Sequence, residues 1–235
     1  MTNIDIKKFV SMVREKRLIE RILIYNAGLF IWALGVAFAI NAELGISPIQ
    51  LVPFVASEIL GIDMGICVTI LFLTFILLQI IIMRKEFKWI NLTQIIFSFV
   101  FGYFVSAARL IVGDFRIPTY AGQLLMLGIG IVLISSGVVF YMQAKLVNLS
   151  SEGLVEAIVY KIEGSAFHRI KVLFDSALVV IGIVISLAFF GELHGVREGT
   201  LISAILIGKF MPFARKGIEW LYRFAKGALA NKGDM

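Results

Sequence analysis

The sequence predicts an all-α integral membrane protein with six transmembrane helices, arranged as two inverted three-helix repeats that each carry an extra short helix. Three observations support this fold class. Sixty per cent of the 235 residues are hydrophobic and only 16% are charged, too little polar material to cover a water-soluble domain. Six apolar stretches are long enough to cross a bilayer, which takes about 20 residues. Residues 34–44 also read like residues 136–146.

The apolar stretches divide into six long ones and two short ones. The six predicted spans are 22–41, 64–83, 90–112, 120–143, 170–190 and 199–215. Segments 47–60 and 150–162 are too short to span and predict partial or interfacial helices. In the first of them Ser47 precedes Pro48, and a serine cap followed by proline at the first helical position is a helix start signal.

The basic residues predict the orientation of these spans. If the N-terminus is cytoplasmic, nineteen of the 22 Lys and Arg residues fall on the cytoplasmic side. Only Arg109, Arg116 and Arg197 fall on the other side. Because cytoplasmic loops carry an excess of Lys and Arg, we expect a multi-pass protein of a bacterial cytoplasmic (inner) membrane with both termini in the cytoplasm.

Four regions follow along the chain. Residues 1–20 form a cytoplasmic basic interfacial helix, 21–113 the first transmembrane repeat, 114–213 the second, inverted repeat, and 214–235 a cytoplasmic basic tail helix. The net charge of +6 lies beside membrane segments, where basic amphipathic helices bind anionic lipid. The expected partner of these charges is therefore the lipid bilayer and not a nucleic acid.

An internal repeat relates the two halves of the chain. Glycine, valine, phenylalanine, alanine and leucine coincide between 34–44 and 136–146 without a gap. Each half holds three spans, an odd number, so the second half enters from the opposite face. Secondary transporters use such inverted repeats and bind solute near the midplane, at short or broken helices. The same shift pairs Gly28 with Gly130, Asn41 with Gln143, and Gln50 with Glu152.

Polar residues near the short helices are the candidate solute-binding groups. A helix N-terminus carries partial positive charge and unpaired N–H donors. Two such ends facing one internal cavity would hold a polar or anionic group, with both serines beside it and Gln50 and Glu152 pointing inward. The predicted substrate-binding residues are Asn41, Ser47, Gln50, Gln143, Ser150, Glu152, Asp175 and Arg197.

Two of these candidates have competing interpretations. Asp175 lies inside the fifth span, where an ionisable group is a functional candidate. Lys171, four residues earlier on the same helix face, is an equally good local ion-pair partner. Glu152 shares a face with Glu156, which indicates either a nearby cation or a solvated surface. Arg197 lies in the most polar outer loop and suits an anionic solute.

The sequence carries no enzyme signature. It has no nucleotide-binding glycine loop, no nucleophile elbow and no metalloprotease helix motif. Cys67 is the single cysteine, and His168 and His194 are the only histidines. We therefore expect a protein that is not an enzyme and uses no metal or cofactor.

Residues 35–48, which read G-V-A-F-A-I-N-A-E-L-G-I-S-P, resemble the opening repeat of the YczE/YyaS/YitT-type bacterial membrane proteins. Residues 169–208, with their spaced glycines and Asp175, are similar to the closing repeat, and the resemblance covers about 21–213. In that family an acidic residue typically follows the proline of each short helix. Here Gln50 takes the first of these positions and Glu152 the second, and Ser150 replaces the second proline. The resemblance implies a fold but carries no agreed substrate.

The leading functional expectation is a secondary transporter or flippase for a small polar or anionic solute, bound between the inverted halves near the midplane. One alternative is a membrane-embedded accessory or regulatory protein for a partner enzyme or export system. Another is the substrate-binding subunit of a vitamin importer. A homodimer and a complex with a partner membrane protein both remain open.

Overall fold

The computed structural model describes residues 3–162 and 164–230, and side chains within 18–162 and 164–218. The described residues are helical and contain no strand. The helices are α1 (Asn3–Asn41), α2 (Pro48–Leu60), α3 (Met64–Met83), α4 (Thr93–Val112), α5 (Tyr120–Gln143), α6 (Ser150–Lys161), α7 (Phe167–Phe190) and α8 (Glu198–Ala230). The polar and apolar faces expected for 1–20 and 214–235 depend largely on side chains outside the described ones.

Five of the described helices are long and apolar enough to cross a membrane. They are Leu18–Asn41, Met64–Glu86, Trp89–Val112, Tyr120–Gln143 and Phe167–Phe190, and they match the first five predicted spans closely. The predicted sixth span, 199–215, lies within α8, which is long but is not one of the five. Lys209 in its middle and Arg215 at its end lower the hydropathy of that stretch.

Local sequence signals set several helix starts. The predicted start of the first short helix is confirmed: α2 begins at Pro48 with Ser47 at the cap position, although no side-chain capping bond forms there. Asp63 caps α3 by accepting a hydrogen bond from the Gly65 N–H at 2.8 Å. Thr119 caps α5 in the same way. The second short helix, α6, begins at Ser150 as predicted.

The centre of the molecule is the close packing of α1 against α5. A Cβ on Gly28 would lie 2.8 Å from the carbonyl oxygen of Gly137, and one on Gly35 would lie 2.8 Å from that of Gly130. Helix backbones approach this closely only where both carry glycine or another small residue. Large aromatic side chains, including Tyr25, fill the space beside this crossing.

The other helices pack around this central pair. Helix α4 packs on α1, and α8 packs on α5. The short helix α2 lies against α7 and α3, and the short helix α6 lies against α3 and α7. Helix α3 also packs along α4, where Gly65 meets Gly102. In the described part of the chain, α7 and α8 have no comparable contact.

Candidate functional site

Two cavities lie at opposite ends of the helix bundle. We call the end that holds the α3–α4 connection and the start of α6 the near end, and the end that holds the α1–α2 and α4–α5 connections the far end. The near cavity has a volume of about 500 Å³. The far cavity has a volume of about 840 Å³. Ligand sites in proteins are typically ~300–1,000 Å³, so each is large enough for a small solute.

Charged side chains of both signs line the far cavity. Glu43 forms an ion pair with Arg116 across its wall. Asp63 accepts a hydrogen bond from the hydroxyl of Ser106. Arg109 lines the same cavity. The remaining charged lining residues are Glu58, Asp114 and Arg197.

Two sequence-predicted residues meet at the far cavity. The Asn41 side chain donates hydrogen bonds to the carbonyl oxygens of Gly113 at 2.8 Å and Phe115 at 3.1 Å. The Arg197 guanidinium donates to the carbonyl oxygen of Glu43 at 2.9 Å. Both residues line the cavity, so the structure brings them together although 156 positions separate them in the sequence.

The near cavity has amides and charged groups among its lining residues. Its deepest polar residues are Gln79 and Gln94, which are 2% and 3% exposed. Tyr141 also lines it, with its ring stacked on Trp32 at 5.8 Å between centroids. Nearer the mouth, Asn148 donates to a carboxylate oxygen of Glu156 at 2.6 Å, and Glu86, Lys88 and Lys145 complete the charged lining.

Each cavity borders a break in the chain with the same geometry. Glu43, just after α1, has a φ of 56°, and Lys145, just after α5, has a φ of 50°. Non-glycine residues rarely adopt this left-handed conformation, and such strain collects at functional sites. In both breaks an arginine donates to the backbone carbonyl of the left-handed residue: Arg197 to Glu43, and Arg21 to Lys145. The arginines hold the two strained turns in place.

Gln50 is the most unusual of the predicted residues. It is fully buried, and neither atom of its side-chain amide has a hydrogen-bond partner in the described structure. A buried amide left in this state costs about 1–3 kcal/mol. Ser47 and Ser150 are also buried, and within the described part of the chain the Ser150 hydroxyl has no partner. None of the three lines the near or the far cavity.

The other predicted residues lie apart from one another. Gln143 is exposed at the near end. The Glu152 carboxylate is partly buried and accepts a hydrogen bond from the Ser151 hydroxyl at 2.7 Å. Asp175 pairs with Lys171 at 2.8 Å, and both side chains are 27% exposed. The sequence predicted one site between the halves, whereas of the eight predicted residues only Asn41 and Arg197 line the far cavity and none lines the near cavity.

We expect the ion pair of Asp175 with Lys171 to act only within α7 and to have little effect on solute binding. Asp175→Asn combined with Lys171→Gln should unfold at the wild-type temperature, because a partly exposed i,i+4 ion pair contributes only about 0.3–0.5 kcal/mol. Asp175→Asn alone leaves the Lys171 charge unpaired and should destabilise slightly more. The measurement is thermal unfolding of the purified variants. A large loss in the double variant would assign Asp175 another partner.

Sequence reasoning missed several residues of the two cavities. Gln79 and Gln94 lie within or beside apolar spans, and the rule that polar groups inside a membrane mark functional positions would have selected them. Glu43 was not selected, because its pairing with Arg116 joins positions far apart in the sequence. No local pattern signals that contact.

The chemistry available in the two cavities is that of binding. Amides, carboxylates and guanidinium groups hold polar solutes by hydrogen bonds and ion pairs. Among the described residues no group of three or more His, Cys, Asp or Glu side chains is arranged to hold a metal ion.

Comparison with known proteins gives one match. No curated protein and no solved structure matches the chain, and the relation to the YczE/YyaS/YitT-type proteins stays a prediction. A family model described as a family of unknown function, DUF6198, matches residues 19–216. That range contains the six predicted spans and the lining residues of both cavities. The chain therefore belongs to the DUF6198 family.

Proposed function

We propose that the protein is a secondary transporter or flippase for a small polar solute, which passes between the near and the far cavity. The observation that carries the proposal is the presence of two polar cavities at opposite ends of the bundle, each beside a strained chain break. Transporters expose one binding region to the two sides of the membrane in turn. Two cavities separated by a packed layer are consistent with such a cycle.

A further part of the proposal is that α8 supplies a sixth span and that the two halves form an inverted repeat. The glycine contacts support this, because a shift of 102 residues converts the contact of Gly28 with Gly137 into that of Gly130 with Gly35. The same correspondence converts the packing of α4 on α1 into that of α8 on α5. It also converts the packing of α2 on α7 into that of α6 on α3.

We place Gln50, which is buried and lines neither cavity, on the solute path between them. Its unpaired amide costs free energy in the described conformation, and a solute hydrogen-bonded to both amide atoms would recover that cost. Arg109, Glu58 and the other charged lining residues of the far cavity carry both signs. Four acidic side chains against three basic ones favour a neutral or zwitterionic solute over a strong anion.

The orientation is tested by labelling. We expect a cysteine introduced at Lys85 to react with a membrane-impermeant thiol reagent only from the cytoplasmic side, and one at Asp114 only from outside. Both positions are exposed, and the native Cys67 is buried and would be replaced by alanine. The positive-inside bias gives the expected direction. Labelling of position 85 in intact cells would contradict the topology and the inverted repeat with it.

The transport proposal is tested by uptake. Purified protein is reconstituted into liposomes, and a panel of labelled neutral, zwitterionic and anionic solutes is offered with and without proton and sodium gradients. We expect at least one polar solute to accumulate above the level of protein-free liposomes, and an unlabelled excess of the same solute to compete with it. Gly128→Ala, at a position with open space around it, should transport normally. It is the control for the other variants that are tested by uptake.

The same preparation separates the alternatives. A chain that purifies without partners and moves a solute supports transport. A chain that takes up nothing from the panel and is stable only with a co-purifying protein contradicts the proposal, and favours the accessory protein or the importer subunit.

A further inference from the structure

The near cavity contains a pair of buried amides whose hydrogen bonds are only partly used. Both hydrogens of the Gln79 side-chain amide are donated, one to Gln94 Oε1 at 3.0 Å and one to the carbonyl oxygen of Ser150 at 3.0 Å. This leaves Gln79 Oε1 as an acceptor and Gln94 Nε2 as a donor. Neither atom has a hydrogen bond to another part of the described chain.

These two atoms face the same residue of α6. A Cβ on Gly153 would be 2.7 Å from Gln79 Oε1 and 2.8 Å from Gln94 Nε2, so both atoms lie next to the same point of the α6 backbone. Only glycine allows α6 to approach them this closely. Gly153 lines the near cavity together with both glutamines, so the acceptor and the donor form one polar edge of that cavity.

The orientation of the Gln79 amide is fixed by its neighbours. Its amide nitrogen faces one acceptor on α4 and another at the start of α6, so a reversed amide would place its oxygen against two oxygens. The acceptor and donor that remain are therefore determined by the hydrogen-bond network.

We propose that the near cavity binds a neutral, planar solute that carries an N–H donor and a carbonyl acceptor on one edge, such as a lactam-type heterocycle. The solute N–H would donate to Gln79 Oε1, and its carbonyl oxygen would accept from Gln94 Nε2. Tyr141 lines the same cavity with a buried ring that stacks on Trp32. The charged lining residues balance in sign, with Glu86 and Glu156 against Lys88 and Lys145, which favours a neutral solute.

This inference rests on the proposed function only in treating the ligand as the transported solute, since binding is measurable without transport. The probe is 2-pyridone, which has adjacent N–H and C=O groups, compared with N-methyl-2-pyridone, which lacks the N–H. Isothermal titration calorimetry on the purified full chain should detect 2-pyridone with one site per chain. The N-methyl compound should bind about tenfold more weakly, because the acceptor of Gln79 is then left unpaired.

Two variants of Gln94 isolate the donor. Gln94→Glu keeps an oxygen to accept from Gln79 and replaces only the donor, whereas Gln94→Met removes both groups at similar volume. Each should weaken 2-pyridone binding about tenfold or more, while the same changes at Gln123, outside both cavities, should not. Equal binding of the two pyridones, wild-type affinity in both Gln94 variants, or no 2-pyridone binding at millimolar concentration would overturn the inference. Uptake of a different solute by liposomes would leave the transport proposal standing in each of those cases.

Discussion

Gly137→Ala should lower the unfolding temperature of the purified protein strongly, and Gly137→Val should prevent recovery of a monodisperse protein. A Cβ at this position would lie 2.6 Å from the carbonyl oxygen of Gly28. That oxygen belongs to the backbone of a packed helix and cannot rotate away. The helices α1 and α5 must therefore separate, and overpacking of this kind costs about 1–3 kcal/mol or more. Because α1–α5 is the central pair, the loss should affect the whole bundle.

The chain offers a matched control and a symmetry test for this prediction. Gly128 lies on the same helix with no atom within 4 Å of its Cβ position, so Gly128→Ala should unfold at or slightly above the wild-type temperature. Gly35 is the counterpart of Gly137 in the proposed repeat, and its Cβ would lie 2.7 Å from the backbone nitrogen of Ile134. Gly35→Ala should therefore match Gly137→Ala. Equal unfolding temperatures for the Gly137 and Gly128 variants would contradict the close crossing.

The positions of the helices could be predicted because hydrocarbon thickness sets their length. The span predicted at 120–143 coincides with α5, and the short helices begin at Pro48 and Ser150 as expected. The sixth predicted span, 199–215, is not among the described helices that are long and apolar enough to cross a membrane, since Lys209 lies in the middle of that stretch. Packing against α5, which sequence patterns do not reveal, is what supports its place in the bundle.

The candidate site was predictable only in part, because a site depends on contacts between distant segments. The internal repeat selected Asn41, which does line the far cavity. It also selected its counterpart Gln143, which is exposed. The amide pair of Gln79 and Gln94 depends on how the α3–α4 hairpin meets the start of α6. A polar residue within an apolar run would have indicated both glutamines. It would not have shown which of their amide atoms are free to bind a solute.

Gln50 and Gln79 provide the sharpest comparison, because both are buried glutamines with opposite hydrogen-bond status. Among the described residues, Gln50 is 0% exposed with both amide atoms unpaired, and Gln79 is 2% exposed with its nitrogen donating twice. Replacing an unpaired buried amide by an apolar group of similar shape removes the free-energy cost of its missing hydrogen bonds. The same replacement of a bonded amide leaves its hydrogen-bond partners unsatisfied. The two substitutions should therefore change stability in opposite directions.

We expect Gln50→Met to raise the free energy of unfolding by about 1–2 kcal/mol and Gln79→Met to lower it by about 1–3 kcal/mol. Chemical denaturation of the two purified variants in the same detergent measures both values. In liposomes Gln50→Met should abolish uptake although the protein is more stable, because the solute loses its amide partner between the cavities, while Gly128→Ala should transport normally. Destabilisation by Gln50→Met would show that its amide is already bonded in the folded state. Normal uptake by a stabilised Gln50→Met variant would remove Gln50 from the solute path and leave the two cavities without a polar group joining them.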